Sequence, residues 1–88
     1  MRHATVEDLI YINDLLSRIR SIEKLREKNP GHFYFHGKNI AHFHVDNSII
    51  YIDIGNERIK VTKFNYDDIL YKIKNYMYLI ENGHDFNK

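Results

Sequence analysis

The chain has no cysteine, which excludes disulfides, zinc ribbons and thiol nucleophiles. It has one proline and four glycines in 88 residues, so nothing resembles a flexible linker or a low-complexity tract. It also lacks charge of one sign: 13 Lys+Arg against 12 Asp+Glu leave a formal +1. That is far from the basic excess of a dedicated nucleic-acid binder. No apolar run approaches the roughly 18 residues that a membrane-spanning helix requires. Arg2, Glu7 and Asp8 interrupt any apolar signal core at the start. Together these absences lead us to expect a cytoplasmic protein with no membrane contact. The length is right for one domain over 1–88. A domain of this size buries only about 60–65% of its unfolded surface, so its stability margin is modest.

What is present is an ordered pattern. Thr5 followed by Asp8 forms a capping-box-like start. Leu9, Ile12, Leu16 and Ile19 follow at helical spacing, with Leu15, Ile22 and Leu25 widening the stripe. The spacing predicts a helix over 5–28, ended by Asn29, Pro30 and Gly31. From His32 the period becomes alternating, which predicts strands at 32–36, 40–45, 48–54 and 57–62. Asn65 is a suitable N-cap for a second helix over 66–82. Ile69, Leu70, Ile73, Tyr76, Met77 and Ile80 form its stripe, and Gly83 suits the position just past its end. The tail from His84 to Lys88 is expected to fray. The fold class is therefore α+β: a four-stranded antiparallel meander with the N-terminal and C-terminal helices packed on one face.

Register decides which side chains share a face. Two-residue turns at Asp46-Asn47 and Gly55-Asn56 would pair Phe43 with Ile50, His42 with Tyr51, Ile52 with Ile59, Tyr51 with Lys60 and Asp53 with Arg58. A three-residue loop at Gly37-Lys38-Asn39, with Asn39 left-handed, would bury Phe33 and Phe35. Burying those rings is worth about 1.5–3 kcal/mol each, whereas burying unpartnered histidines has a cost. This register leaves a polar face of His32, Tyr34, His36, His42, His44, Tyr51, Asp53, Arg58 and Lys60, with Ile40 and Ile49 exposed beside them. His32 would lie roughly opposite His44.

That face supports several chemistries. The leading expectation is a non-enzymatic interaction or self-associating module, a homodimer or a complex with a protein partner, because Tyr, Thr and His suit a solvated sheet and Ile40 and Ile49 would seek cover. No nucleophile, phosphate loop or paired carboxylates mark an enzyme, and no cofactor is required. The alternative is a divalent metal, held by His42 and His44 with His32 and Asp53 assisting, since imidazoles at cross-strand distance can share an ion. A further alternative is single-stranded RNA on Tyr34, Tyr51, Arg58 and Lys60, by stacking and phosphate contact. The near-neutral charge weighs against that one.

The segment Gly37–Ile54, GKNIAHFHVDNSIIYIDI, resembles part of the luciferase-domain family of unknown function. There a strand of the type G-K-x-I-x-H-x-H precedes a short turn and a D-I strand, and His42, His44, Asp53 and Ile54 take the matching positions. The chain lacks the longer insert that follows in that family. The resemblance implies a relation of fold and assigns no activity.

Overall fold

The structure, a computed structural model, describes residues 1–83. The tail expected to fray lies outside the described residues. In chain order the elements are β1 (Arg2–His3), α1 (Val6–Ile10), α2 (Asn13–Arg20), β2 (Arg26–Asn29), β3 (His32–Phe35), β4 (Lys38–Asp46), β5 (Ile49–Ile54), β6 (Glu57–Lys60) and α3 (Tyr66–Glu81). Strands β2 to β6 form an antiparallel meander, and β1 pairs with β4 beside it. The fold is α+β, but its sheet has six strands where four were expected.

Both added strands come from the segments around the first helix. Thr5 and Asp8 do form a reciprocal capping box, with the Asp8 N–H donating to Thr5 Oγ1 at 3.3 Å and the Thr5 N–H donating to Asp8 Oδ2 at 2.8 Å. The helix then breaks at Tyr11-Ile12 and ends at Arg20 instead of running to 28. The apolar stripe continues across the break, with Leu9, Ile12, Leu15, Leu16 and Ile19 all buried. Lys24 adopts a left-handed φ of 71°, and the chain returns as β2. The reason lies in Asn29-Pro30-Gly31-His32. Pro30 and Gly31, read in the sequence as a helix stop, are the two central residues of a hairpin turn. Pro fixes the first position and Gly31, at φ 77°, supplies the second, as a type II turn requires. Glu27 secures the corner by accepting from the Gly31 N–H at 2.8 Å and from Arg20 at 2.6 Å. Without β2, β3 would be an open edge with unpaired backbone groups.

The β3–β4 connection corrects the expected three-residue loop. His36 and Gly37 form a two-residue turn, both with positive φ (52° and 77°), and Phe35 pairs with Lys38. The extra residue is absorbed further along, where the register jumps between the Tyr34–Asn39 and Phe33–Ala41 pairs. That bulge leaves Ile40 unpaired and turns it inward. Phe33 and Phe35 are buried as expected, but Ile40, expected to be exposed, is 1% exposed and belongs to the core.

The β4–β5 turn uses Asn47 and Ser48, with φ of 50° and 64°, one position later than Asp46-Asn47. The register therefore slips by two: Phe43 pairs with Ile52, His44 with Tyr51 and His42 with Asp53. An even slip keeps every side chain on its expected face while changing its partner. The β5–β6 pairs, Tyr51–Lys60, Ile52–Ile59 and Asp53–Arg58, match the expected register.

The core joins the buried helix residues to Phe33, Phe35, Ala41, Phe43, Val45, Ile52 and Ile54 of the sheet and Ile69, Ile73 and Met77 of α3. The helices thus cover one sheet face. Asn65 stands at the N-cap of α3 as expected, but its side chain does not cap the helix: its Oδ1 accepts from the Thr62 N–H at 3.0 Å and its Nδ2 donates to the Lys60 carbonyl at 2.7 Å, which ties down the preceding loop. Among the described residues no helix is long and apolar enough to cross a membrane.

Burial of Ile40 is directly measurable. Ile40→Ala should destabilise the fold by about 2–5 kcal/mol in urea unfolding, the usual cost of emptying a core position. A change under about 0.5 kcal/mol, typical of a surface position, would contradict the bulge.

Candidate functional site

The face away from the helices carries four imidazoles. His32 on β3 stands opposite His42 on β4, correcting the expected His32–His44 neighbourhood. His44 stands opposite Tyr51 on one side and opposite His3 of β1 on the other. Ring centroids are 4.4 Å apart for His42–His44, 4.8 Å for His3–His32, 5.3 Å for His3–His44 and 5.5 Å for His32–His42. His3 was missed in the sequence because a two-residue strand carries no periodicity. Its only signal was its position just before the N-cap.

His36, placed on this face from the sequence, is not there. It occupies the β3–β4 turn, where its Nε2 lies 3.1 Å from Glu81 Oε2 of α3 and its ring packs on Phe35. The two-residue turn lifts it out of the strand alternation.

Asp53 projects from β5 between His42 and His44 on one side and Arg58 on the other. Arg58 grips it with both arms: Nε donates to Oδ1 at 2.7 Å and a terminal nitrogen donates to Oδ2 at 2.9 Å. His44 Nε2 is 2.8 Å and His42 Nε2 3.6 Å from the same Oδ2. His44 Nε2 is thus within ion-pair distance of the carboxylate, yet it is buried and makes no hydrogen bond. The residue as a whole is only 9% exposed, although it lies on the face away from the helices. One donor atom each from His42, His44 and Asp53 lie within 4.8 Å of one another.

The remaining face residues surround this centre. Tyr34 pairs with Asn39 across the bulge, and the Lys28 ammonium lies 4.7 Å from its ring centroid. Tyr51 and Lys60 pair beyond Asp53, and Lys60 is exposed. A shallow depression of about 500 Å³, lined by His3, Asn29, His32, Tyr34, Asn39 and His42, opens beside the histidines.

The electrostatics follow from this crowding. The Arg58 guanidinium holds the Asp53 carboxyl below its ordinary range, aided by charge on His44 and His42. Burial lowers the His42 pKa, and His44 adds to that, while Asp53 opposes it. His32 is lowered by burial and by His3 and His44. Both His32 and His42 are therefore neutral near pH 7, the form in which imidazole carries a free lone pair.

Comparison with protein-family models, with curated proteins and with solved structures finds no match to this chain.

The shifts set a pH dependence. Groups whose folded pKa is depressed contribute stability above the unfolded value, near 6.5 for His, and lose it as pH falls below that. In metal-free buffer the melting temperature should hold from pH 8 to 7 and fall between about pH 6.5 and 5. His32→Ala combined with His42→Ala should flatten that fall. Melting curves followed by circular dichroism decide it, and a wild-type profile flat from pH 7 to 5 would refute the assignment.

Proposed function

We propose that this chain is a metal-binding domain whose open sheet face holds a divalent transition ion on His42, His44 and Asp53. The observation that carries this is the convergence of three donors within 4.8 Å around a His44 nitrogen that is buried and lacks a hydrogen-bond partner. Two polar atoms held 2.8 Å apart with no hydrogen bond between them call for a specific reason. A bound ion supplies one. Ligands about 2.0–2.1 Å from a tetrahedral ion lie about 3.3 Å from each other, so the 2.8 and 3.6 Å His–Asp53 separations are near that spacing, and the two histidine nitrogens, within 4.8 Å of one another, close on the ion when it binds.

The donor types select the ion class. Imidazole favours Zn, Cu, Fe and Ni, whereas Mg and Ca prefer oxygen alone. Arg58 then acts from outside the ligand set, fixing the carboxylate through one lone pair on each oxygen and leaving others free. Neutral His42 is ready to ligate without first losing a proton.

The other expectations for this face rest on less. Self-association drew its apolar case from Ile40 and Ile49, and of these Ile40 is in the core while Ile49 is half-buried. RNA binding needs a free Arg58, and that guanidinium is engaged by Asp53.

The test uses untagged protein, stripped with chelator and titrated with Zn²⁺ or Co²⁺ by calorimetry. One ion per chain is expected, with a rise in melting temperature because the ion binds only the folded form. The His42→Ala/His44→Ala double variant should take up none. Failure of the wild-type chain to bind Zn²⁺, Co²⁺, Ni²⁺ or Cu²⁺ stoichiometrically would defeat the proposal.

A further inference from the structure

Three protein donors leave at least one position on an ion to fill, and two further imidazoles flank them. Distance alone does not choose between His3 and His32, but ring orientation does. The lone pair of an imidazole nitrogen lies in the ring plane, so a ligated ion must lie in the plane of every ring that binds it. The His32 and His42 rings are stacked, 10° from parallel with centroids 5.5 Å apart. Two such planes do not meet near either ring, so the pair cannot share one ion as placed. His3 differs. Its plane is inclined 85° to that of His42 and 46° to that of His44, and those two are inclined 70° to each other. His3 also stands opposite His44 in the sheet and within ring contact of both ligands, 5.3 Å from His44 and 6.1 Å from His42 between centroids, so it can turn a nitrogen toward an ion they share.

On this basis we infer that His3 is the fourth ligand and that the ion clasps β1 to β4. The inference rests on the metal reading above and adds to it a residue and a consequence. Strand β1 is only two residues long and both are exposed. What holds it is its pairing with His44 and Val45, the Ala4 N–H donating to the Phe43 carbonyl at 3.3 Å, the His3 ring against its neighbouring imidazoles, the N-terminal ammonium 4.0 Å from Asp46, and the Arg2–Asp8 ion pair at 2.6 Å. The Arg2–Asp8 pair is bidentate but ties β1 to α1, not to β4. A metal bond from His3 would therefore dominate the docking of this strand, and occupancy of the site would control whether the β4 edge from Phe43 to Val45 is covered.

Two measurements test this on the untagged full-length chain, with Zn²⁺ as the probe. In amide hydrogen exchange, Zn²⁺ should slow exchange at Ala4 by at least about tenfold, since opening β1 must then break a metal bond. His3→Ala should abolish that slowing and weaken Zn²⁺ binding by at least about tenfold, the scale of loss found even for partners outside the ligand set. His32→Ala should bind within about twofold of wild type, as a surface change does. Stoichiometric Zn²⁺ uptake with Ala4 exchange unchanged would overturn the clasp and leave the metal reading standing. So would a loss of affinity in His32→Ala with none in His3→Ala. Absence of Zn²⁺ uptake by the wild-type chain would overturn both.

Discussion

Strand β4 has two edges of backbone donors and acceptors to satisfy, and the rest of the molecule is arranged around that requirement. One edge is covered by β5 from Ala41 to Asp46. The other is divided, with β3 pairing along Lys38–His42 and β1 along His44–Val45. Because unpaired buried backbone groups are costly, the division is obligatory once β3 ends at His32. It explains why the segment before the first helix becomes a strand, and it delivers His3 to the face where His42 and His44 already point. The bulge at Ile40 belongs to the same accounting. It lets a two-residue turn and the burial of Phe33, Phe35 and Phe43 coexist, by absorbing one residue in the interior of the strand.

Apart from Ile40 at the bulge and His36 in the turn, the face assignments were legible in the sequence because side-chain alternation has a period of two. The β4–β5 turn was placed one residue early, yet the resulting slip was even and every histidine of β4 stayed on its face. The partners were not legible to the same degree. Only the true register sets Asp53 opposite His42, and nothing in the pattern distinguishes Asp46-Asn47 from Asn47-Ser48 as a turn, since Asn, Asp and Ser all tolerate such positions. The two added strands failed for different reasons. Arg26–Asn29 is polar throughout and follows an apolar stripe, so its helical reading was the natural one; only the Pro30-Gly31 pair, which suits a hairpin turn as well as a helix end, pointed elsewhere. Arg2–His3 is too short to have a period at all.

The balance of charge across the centre is instructive. Asp53 faces two permanent or potential cations on opposite sides, Arg58 at 2.7 Å and His44 at 2.8 Å. Arg58 alone is enough to neutralise the carboxylate, and it does so with two aligned hydrogen bonds. The histidines are therefore surplus to the pairing of Asp53. Burial and mutual repulsion push His32 and His42 toward the neutral form, so the cluster is a set of lone-pair donors around one shared anion. That is the electrostatic condition a divalent cation requires, with the arginine confined to the far side of the carboxylate.

A purely structural role accounts poorly for the same residues. A strand that needs only β-propensity and a solvated surface is served by Thr, Tyr or Val, none of which brings a titratable nitrogen into a crowded, partly dry position. At position 44, 9% exposed and lacking a hydrogen bond at Nε2, a valine would pack without the desolvation cost. Arrangements that cost stability in the ligand-free state and sit where donors converge are characteristic of sites that recover the cost on binding. On the metal reading, the recovery scales with the ratio of free ion to its dissociation constant, so a domain with a modest margin would draw part of its stability from occupancy of this face.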